Sequence, residues 1–194
     1  MSRPYVSIDI ETTGIDERSH ILQISAVFDD LHTSVTELPT LDLPIKWESI
    51  SYSEPYALGM NAGLLTKMMD KNFETYEPKN ASSSLLHFLK ECQKLSGVDE
   101  RGKPRKIILA GKNVASFDIP KIRSFLYSNS DKEEFDSLIH YKTLDVGSLY
   151  YDVFGDNVSL SKINELTGRK AVSHNALDDA FDVVYAVRHK MEKK

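Results

Sequence analysis

Residues 4–14 read Pro4-Tyr5-Val6-Ser7-Ile8-Asp9-Ile10-Glu11-Thr12-Thr13-Gly14. Apolar and polar side chains alternate through Ile10, the two-residue period of a strand, and Gly14 supplies a turn. Val6, Ile8 and Ile10 share one face, and Ser7, Asp9 and Glu11 share the other. Carboxylates two positions apart on a strand project together, roughly 6–7 Å apart at ~3.3 Å per residue. On a central strand that face is covered, and a covered carboxylate is costly unless paired or metal-bound. On an edge strand both acids simply stand in water. The stretch alone leaves both readings open.

A second alternating run, residues 21–29, puts Leu22, Ile24, Ala26 and Phe28 on one face. The short loop between the two runs favours an antiparallel pair, because a parallel crossover usually needs a helix. Ile45-Lys46-Trp47 closes a third strand, interrupted by Pro39 and Pro44. After about residue 60 the period changes. Leu85, Leu86, Phe88, Leu89, Cys92 and Leu95 recur at helical spacing, with Asn80 and Ser82 as candidate N-caps. Residues 97–106 are polar, and the basic cluster from Arg101 to Lys106 reads as a solvated loop or a guide for a strand. Ile107-Ile108-Leu109-Ala110 has the continuous apolar character of a buried parallel strand. Pro120 opens a helix at its favoured first position. A strand over residues 139–143 and helices near 145–153, 159–166 and 175–191 complete the chain. The order β-β-β-α-β-α-β-α predicts an α/β fold: one mixed sheet, its first three strands antiparallel, flanked by helices.

The 194 residues fit one domain of the usual ~100–200 residues, with no internal repeat. At 41% hydrophobic and 27% charged, with Gly 9 and Pro 7, the chain is neither disordered nor low in complexity. No apolar run approaches the ~18 residues of a membrane span, and the N-terminus has no signal-peptide pattern. Cys92 is the only cysteine, which excludes an intrachain disulfide and a cysteine-rich zinc site. A reducing, cytoplasmic location is expected. A net charge of -5 argues against a protein that coats nucleic acid by neutralising phosphates. It is compatible with an enzyme that handles one strand end, where dications bring the positive charge.

Three further residues join Asp9 and Glu11. Asp118 lies at a helix start, as a cap or as something more. In His174-Asn175-Ala176-Leu177-Asp178-Asp179-Ala180, the last helix has an apolar stripe of Ala176, Ala180, Val183, Val184 and Val187. At 100° per residue Asp179 lies about 80° from the centre of that stripe, while Asp178 and Asp182 point to solvent. His174 precedes the helix, as a surface or capping residue or as one that swings over the acids. Carboxylates from the start, middle and end of the chain thus fall at strand and helix termini, where α/β folds place their sites. Gathered together, such like charges repel unless dications neutralise them.

On Asp9-Ile10-Glu11-Thr12-Thr13-Gly14, Asn113-x3-Phe117-Asp118 and His174-x-Ala176-x2-Asp179-Ala180, the chain resembles the DEDDh exonucleases of the RNase H-like superfamily. The resemblance spans nearly the whole chain and implies a single exonuclease domain over residues 1–194 with an RNase H-like five-stranded sheet. It implies that Asp9, Glu11, Asp118 and Asp179 bind two Mg²⁺ or Mn²⁺. Asp9 would touch both ions, and Glu11 and Asp179 the one on the nucleophile side. His174 would be the general base, a role suited to an imidazole. Hard oxygen donors without cysteine fit those ions better than zinc. The partner implied is the 3′ end of single-stranded DNA or RNA, cut to nucleoside 5′-monophosphates, with no membrane. Thr12 is similar to a residue that contacts the terminal nucleotide. Ala57-Leu58-Gly59-Met60-Asn61 resembles the segment beside the terminal base, with Met60 and Asn61 as contacts; the other reading is a helix start packing Leu58, Leu64 and Leu65. Asn113 is a further candidate contact. The family often has His-Asn where this chain has Lys112-Asn113, and Asp145 reads as a helix cap, not a fifth ligand. A rival of another class is a non-catalytic RNase H-like module that binds nucleic acid.

Overall fold

The computed structural model of the chain describes residues 3–192. Strands β1 (Tyr5–Thr12), β2 (Ile21–Asp29), β3 (Thr40–Pro44), β4 (Ile108–Gly111) and β5 (Leu144–Asp145) form one sheet in the order β3-β2-β1-β4-β5. β1 to β3 run antiparallel in sequence, whereas β4 and β5 add in parallel beyond β1. The fold is α/β with a mixed five-stranded sheet, as the sequence predicts. β1 is its middle strand, which removes the edge-strand reading of Asp9 and Glu11. The β1–β2 register shifts between Glu11 and Thr12. An irregularity of that kind bends a strand and re-aims its side chains.

Helices cover both faces. Val6, Ile8 and Ile10 pack with Ile24, Ala26 and Phe28 against Leu85, Leu86, Leu89 and Cys92 of α3 (Pro78–Leu95). Ile122 of α4 (Asp118–Phe125) and Phe135 of α5 (Asn129–Leu138) close that layer. On the other face α9 (Ala176–Glu192) lays Val183, Val184 and Val187 against Tyr5, Val27 and Ala110. α6 (Val146–Leu149), α7 (Tyr151–Phe154) and α8 (Leu160–Leu166) flank α9. Each fully buried aliphatic side chain contributes about 1.5–3 kcal/mol relative to exposure.

The local corrections have physical reasons. β3 ends where the sequence had placed its third strand, and Ile45 makes only an isolated bridge to Tyr76. Pro44 is tolerated there because β3 is an edge strand and needs no ladder donor from it. β5 is Leu144–Asp145, not residues 139–143; Ile139 makes a single bridge to Ile107. α3 starts at Pro78 with Glu77 as its cap, so Asn80 and Ser82 lie inside the helix, and Leu95 at its end is exposed. α4 starts two residues before Pro120, which fits the first turn because N–H groups there have no partner within the helix. α1 (Pro55–Met60), α2 (Ala62–Met68) and α5 add to the order read from the sequence.

Asp182 is buried rather than solvated: Asn164 of α8 and Arg169 both donate to it, the latter at 2.5 Å. α9 is covered on a second flank that a single-stripe wheel does not anticipate. Asp29 is enclosed in the same manner, accepting from Tyr5 at 2.7 Å and from Arg188 at 2.6 Å. Removing one partner of a buried ion pair costs about 3–5 kcal/mol because the other charge is stranded. Asp29→Ala is therefore expected to lower the unfolding free energy measured in urea by that amount, and an unchanged midpoint would show that the clamp contributes nothing.

Candidate metal centre

The polar face of β1 is roofed by the start of α9. Ser7 Oγ donates to Ala180 O at 2.8 Å, and Ala176 N donates to Gln23 Oε1 at 3.2 Å. Asn175 caps the helix, its Oδ1 accepting from the amides of Leu177 and Asp178 at 3.2 and 3.3 Å. Asp179 is thereby fixed over Asp9 and Glu11. His174, one residue before the cap, takes a left-handed backbone with φ 53. That conformation is strained for any residue but glycine. Asp118 comes from the opposite side, in the first turn of α4, whose N-cap is Phe117.

Single ligand atoms of Glu11, His174 and Asp179 all lie within 4.8 Å of one another. They line a cavity of about 310 Å³ with Asp9, Thr12, Met60, Asn61 and Phe117. Burial pushes Glu11 up to about 7. Burial, with Glu11 next in effect, pushes Asp179 to about 7. Asp9 is raised well above the carboxylate range by burial and then by Asp118, Asp179 and Glu11. Asp118 is raised by burial, against the pull of its own amide and that of Ile10. Among the described residues none of these four acids has a Lys or Arg partner, whereas Asp29 and Asp182 each have an arginine. The donor set is oxygen-rich with one imidazole, and it fits hard dications.

The other expected residues divide. Thr12 lines the cavity, but its hydroxyl donates to Gly14 O at 2.7 Å. Asn61 is buried; its Nδ2 holds Thr12 O and Ala57 O, each at 3.1 Å, and its Oδ1 has no partner. Met60 lines the same wall. Of the residues the helix-start reading packs, Leu64 is buried and Leu58 and Leu65 are half-buried, so this segment packs in part and faces the cavity. Asn113 lies outside the cavity lining, its amide donating to Asp145 Oδ2 at 2.7 Å and its side chain accepting from Lys112. Asp145 also caps α6 through Ser148 N at 2.9 Å. Sequence reasoning missed Glu54, which lines the cavity and holds the turn after β1 through the amides of Ile15 and Asp16 at 3.0 and 3.2 Å. A Cβ on Gly14 would come within 2.5 Å of Glu54 Oε1, so a side chain there would push Glu54 aside. A glutamate before a proline carries no motif that would have found it.

The raised acids make stability a function of pH. In the unfolded chain Asp179 and Glu11 titrate near 3.8 and 4.5, and in the folded chain near 7. Between those values the folded chain holds the extra protons, so stability falls as pH rises. The metal-free protein is expected to lose of the order of 10 °C in Tm between about pH 4 and 7, at ~1.4 kcal/mol per pH unit per group. Mn²⁺ should restore more at the upper end of that range than at the lower. A Tm that is flat with pH and indifferent to Mn²⁺ would reject the centre.

The sheet order, the α9 roof and the central acidic strand define an RNase H-like α/β fold. That fold is shared with DEDDh-type exonucleases of known structure. E. coli Exonuclease I in complex with a dA16 oligonucleotide superposes with TM-score 0.65 at 14% identity, over 99% of this chain and 42% of that one. A 3′-exonuclease that recognises the histone mRNA stem-loop gives TM-score 0.64 at 15% identity, over 100% of this chain and 84% of that one. S. pombe Pop2p, in a form with Mg²⁺ and Mn²⁺ bound, gives 0.62 at 13% identity, over 96% and 82%. The chain spans about two fifths of Exonuclease I. No family model matches the chain, and no curated protein does. Among the described residues no helix is long and apolar enough to cross a membrane.

Proposed function

We propose that the chain, residues 1–194, acts as a single metal-dependent 3′→5′ exonuclease domain on single-stranded DNA or RNA. One observation carries this reading: four carboxylates from β1, α4 and α9 share one field with no arginine or lysine partner among the described residues, while the buried Asp29 and Asp182 each have one. Evolved cores rarely keep unpaired buried charge without a use for it. Asp9, Glu11, Asp118 and Asp179 would hold two Mg²⁺ or Mn²⁺. When bound, such ions supply a Lewis-acid clamp on the attacking and leaving oxygens of a phosphodiester.

The chain's own residues do the rest. His174 takes the proton of the attacking water. Asn61 fixes the backbone of Thr12, and Thr12 and Met60 form the wall against the terminal nucleotide. The products are nucleoside 5′-monophosphates, released stepwise. Solved structures of this fold hold a DNA oligonucleotide in one case and concern an mRNA stem-loop in another, so both sugars belong in the assay. The test is release of mononucleotides from a 3′-labelled oligomer with Mn²⁺, against a chelator control. Binding of the oligomer without any cleavage would instead leave a non-catalytic module.

A further inference from the structure

Three chain segments that precede the parallel strands meet at the end of the sheet opposite the carboxylates. Arg3 precedes β1, residues 98–106 precede β4, and residues 140–142 precede β5. They are tied together: Arg3 donates to Lys106 O, His140 N to Ile107 O at 2.6 Å, and Arg105 Nε to Val98 O at 2.7 Å. Two adjoining cavities, of about 350 and 410 Å³, share Lys106 and His140 in their walls. Among the described residues Arg3, Lys103, Arg105, Lys106 and Lys142 form no ion pair. The acids nearby are outnumbered: Asp99 and Glu100 stand in the same loop as Arg101, Lys103, Arg105 and Lys106, and Asp136 pairs with Arg123 at 2.7 Å. A cationic surface thus stands out on a chain of net charge -5. His140 is pushed down by burial and then by Arg3, Lys142 and Lys106, a sign that these charges converge.

An aromatic sits in the middle of it. Tyr141 is 85% exposed, stacks on the His140 ring at 4.6 Å and 25°, and has Lys142 Nζ 5.7 Å from its ring centre. An exposed ring held flat by a second ring and flanked by cations is the pattern by which proteins hold single-stranded nucleic acid. An acidic peptide would use the cations and leave the ring face idle; a polynucleotide uses both.

We infer that this surface is a second binding site for a single-stranded polynucleotide. Arg3, Lys103, Lys106 and Lys142 contact its phosphates, and Tyr141 stacks one base. It lies roughly 20 Å from the carboxylate cavity, six residues of β1 at ~3.3 Å each. The inference goes beyond the nuclease reading, since the site neither cuts nor needs metal. A strand held there is kept near the cavity between cuts.

The test measures binding in a chelator, where no hydrolysis intervenes. Fluorescence anisotropy follows labelled single-stranded DNA and RNA of about 20 nucleotides, a length beyond the ~4–16 of one small binding module. The K103Q/K106Q/K142Q variant changes exposed side chains only, so the fold should survive. It is expected to lose about tenfold in affinity and to flatten the salt dependence by about 2 in log–log slope, at ~0.7 per phosphate contact on single strands. Tyr141→Ala should weaken binding several-fold, and Tyr141→Phe should restore it. Cleavage of a tetranucleotide with Mn²⁺ by these variants should match the parent protein. Unchanged affinity and salt slope in the triple variant would overturn the site. So would a loss seen equally for a polyglutamate peptide with no effect of Tyr141→Ala. Failure of tetranucleotide cleavage by the parent bears only on the nuclease reading.

Discussion

Asp9→Asn is expected to abolish hydrolysis while raising the Tm of the metal-free protein. The two effects have one cause. Burial raises Asp9 most, and repulsion from Asp118, Asp179 and Glu11 adds to it. The amide keeps the shape and is neutral at every pH, so it avoids the cost of either burying a charge among three acids or taking up a proton on folding. A relief of ~1–2 kcal/mol corresponds to about 2–8 °C for a domain of this size. Catalysis moves in the opposite direction, because the same charge is what a pair of dications needs. A Lewis-acid contribution of several kcal/mol, at 1.36 kcal/mol per tenfold, amounts to ~10³-fold or more in rate. Nucleotide release and a thermal melt in chelator measure both arms. Parent-like turnover in the variant would remove Asp9 from the chemistry. A lowered Tm would make Asp9 a structural residue rather than a repelled one. Asp29→Ala is the contrast: an acid with its own arginine should lose stability.

What the sequence disclosed follows where a single period governs burial. β1 and β2 alternate over eight or nine residues, and α9 carries a stripe over seventeen, so each was legible. β5 is two residues long, shorter than any period, and the apolar Ile139 drew the reading toward a bridge beside it. α5 buries only Phe135 and Leu138, and its start is marked by the Ser128–Asp131 capping box rather than by apolar spacing. α1 and α2 break at Asn61 and are six and seven residues long, too short to carry a stripe. Asp182 shows the limit of the helical wheel. A wheel assumes one buried face, while α9 meets the sheet on one side and Asn164 and Arg169 on another. The acids were legible only together: Asp9 and Glu11 alone fit an edge strand as well, and it is their conjunction with Asp118 and Asp179 at strand and helix ends that asks for an explanation. Glu54 was not, and of the cationic end of the sheet only the Arg101–Lys106 cluster was, since the rest is assembled by loops that the fold brings together.

His174→Ala is expected to lower kcat by about 10²–10⁴, the usual range for loss of a general base, with KM little changed. The geometry offers His174 two roles, because its ring nitrogen lies within 4.8 Å of the Glu11 and Asp179 oxygens. Hard dications prefer oxygen to imidazole, which favours the proton-accepting role over ligation. The two are separated by titrating Mn²⁺ against Tm. A proton acceptor leaves the Mn²⁺-induced rise intact in His174→Ala, whereas a ligand diminishes it. The backbone supplies a second handle. With φ 53 at His174, alanine inherits the strain that histidine bears, but glycine does not. His174→Gly should therefore be as inactive as His174→Ala and yet more stable than it by about 1 kcal/mol. An inactive but more stable variant is what a strained catalytic position produces, because the strain is tolerated only for what the side chain does. Rates within tenfold of the parent in both variants would demote His174 to a bystander of the acidic cluster. A glycine variant less stable than the alanine one would show that the left-handed turn carries no strain to release.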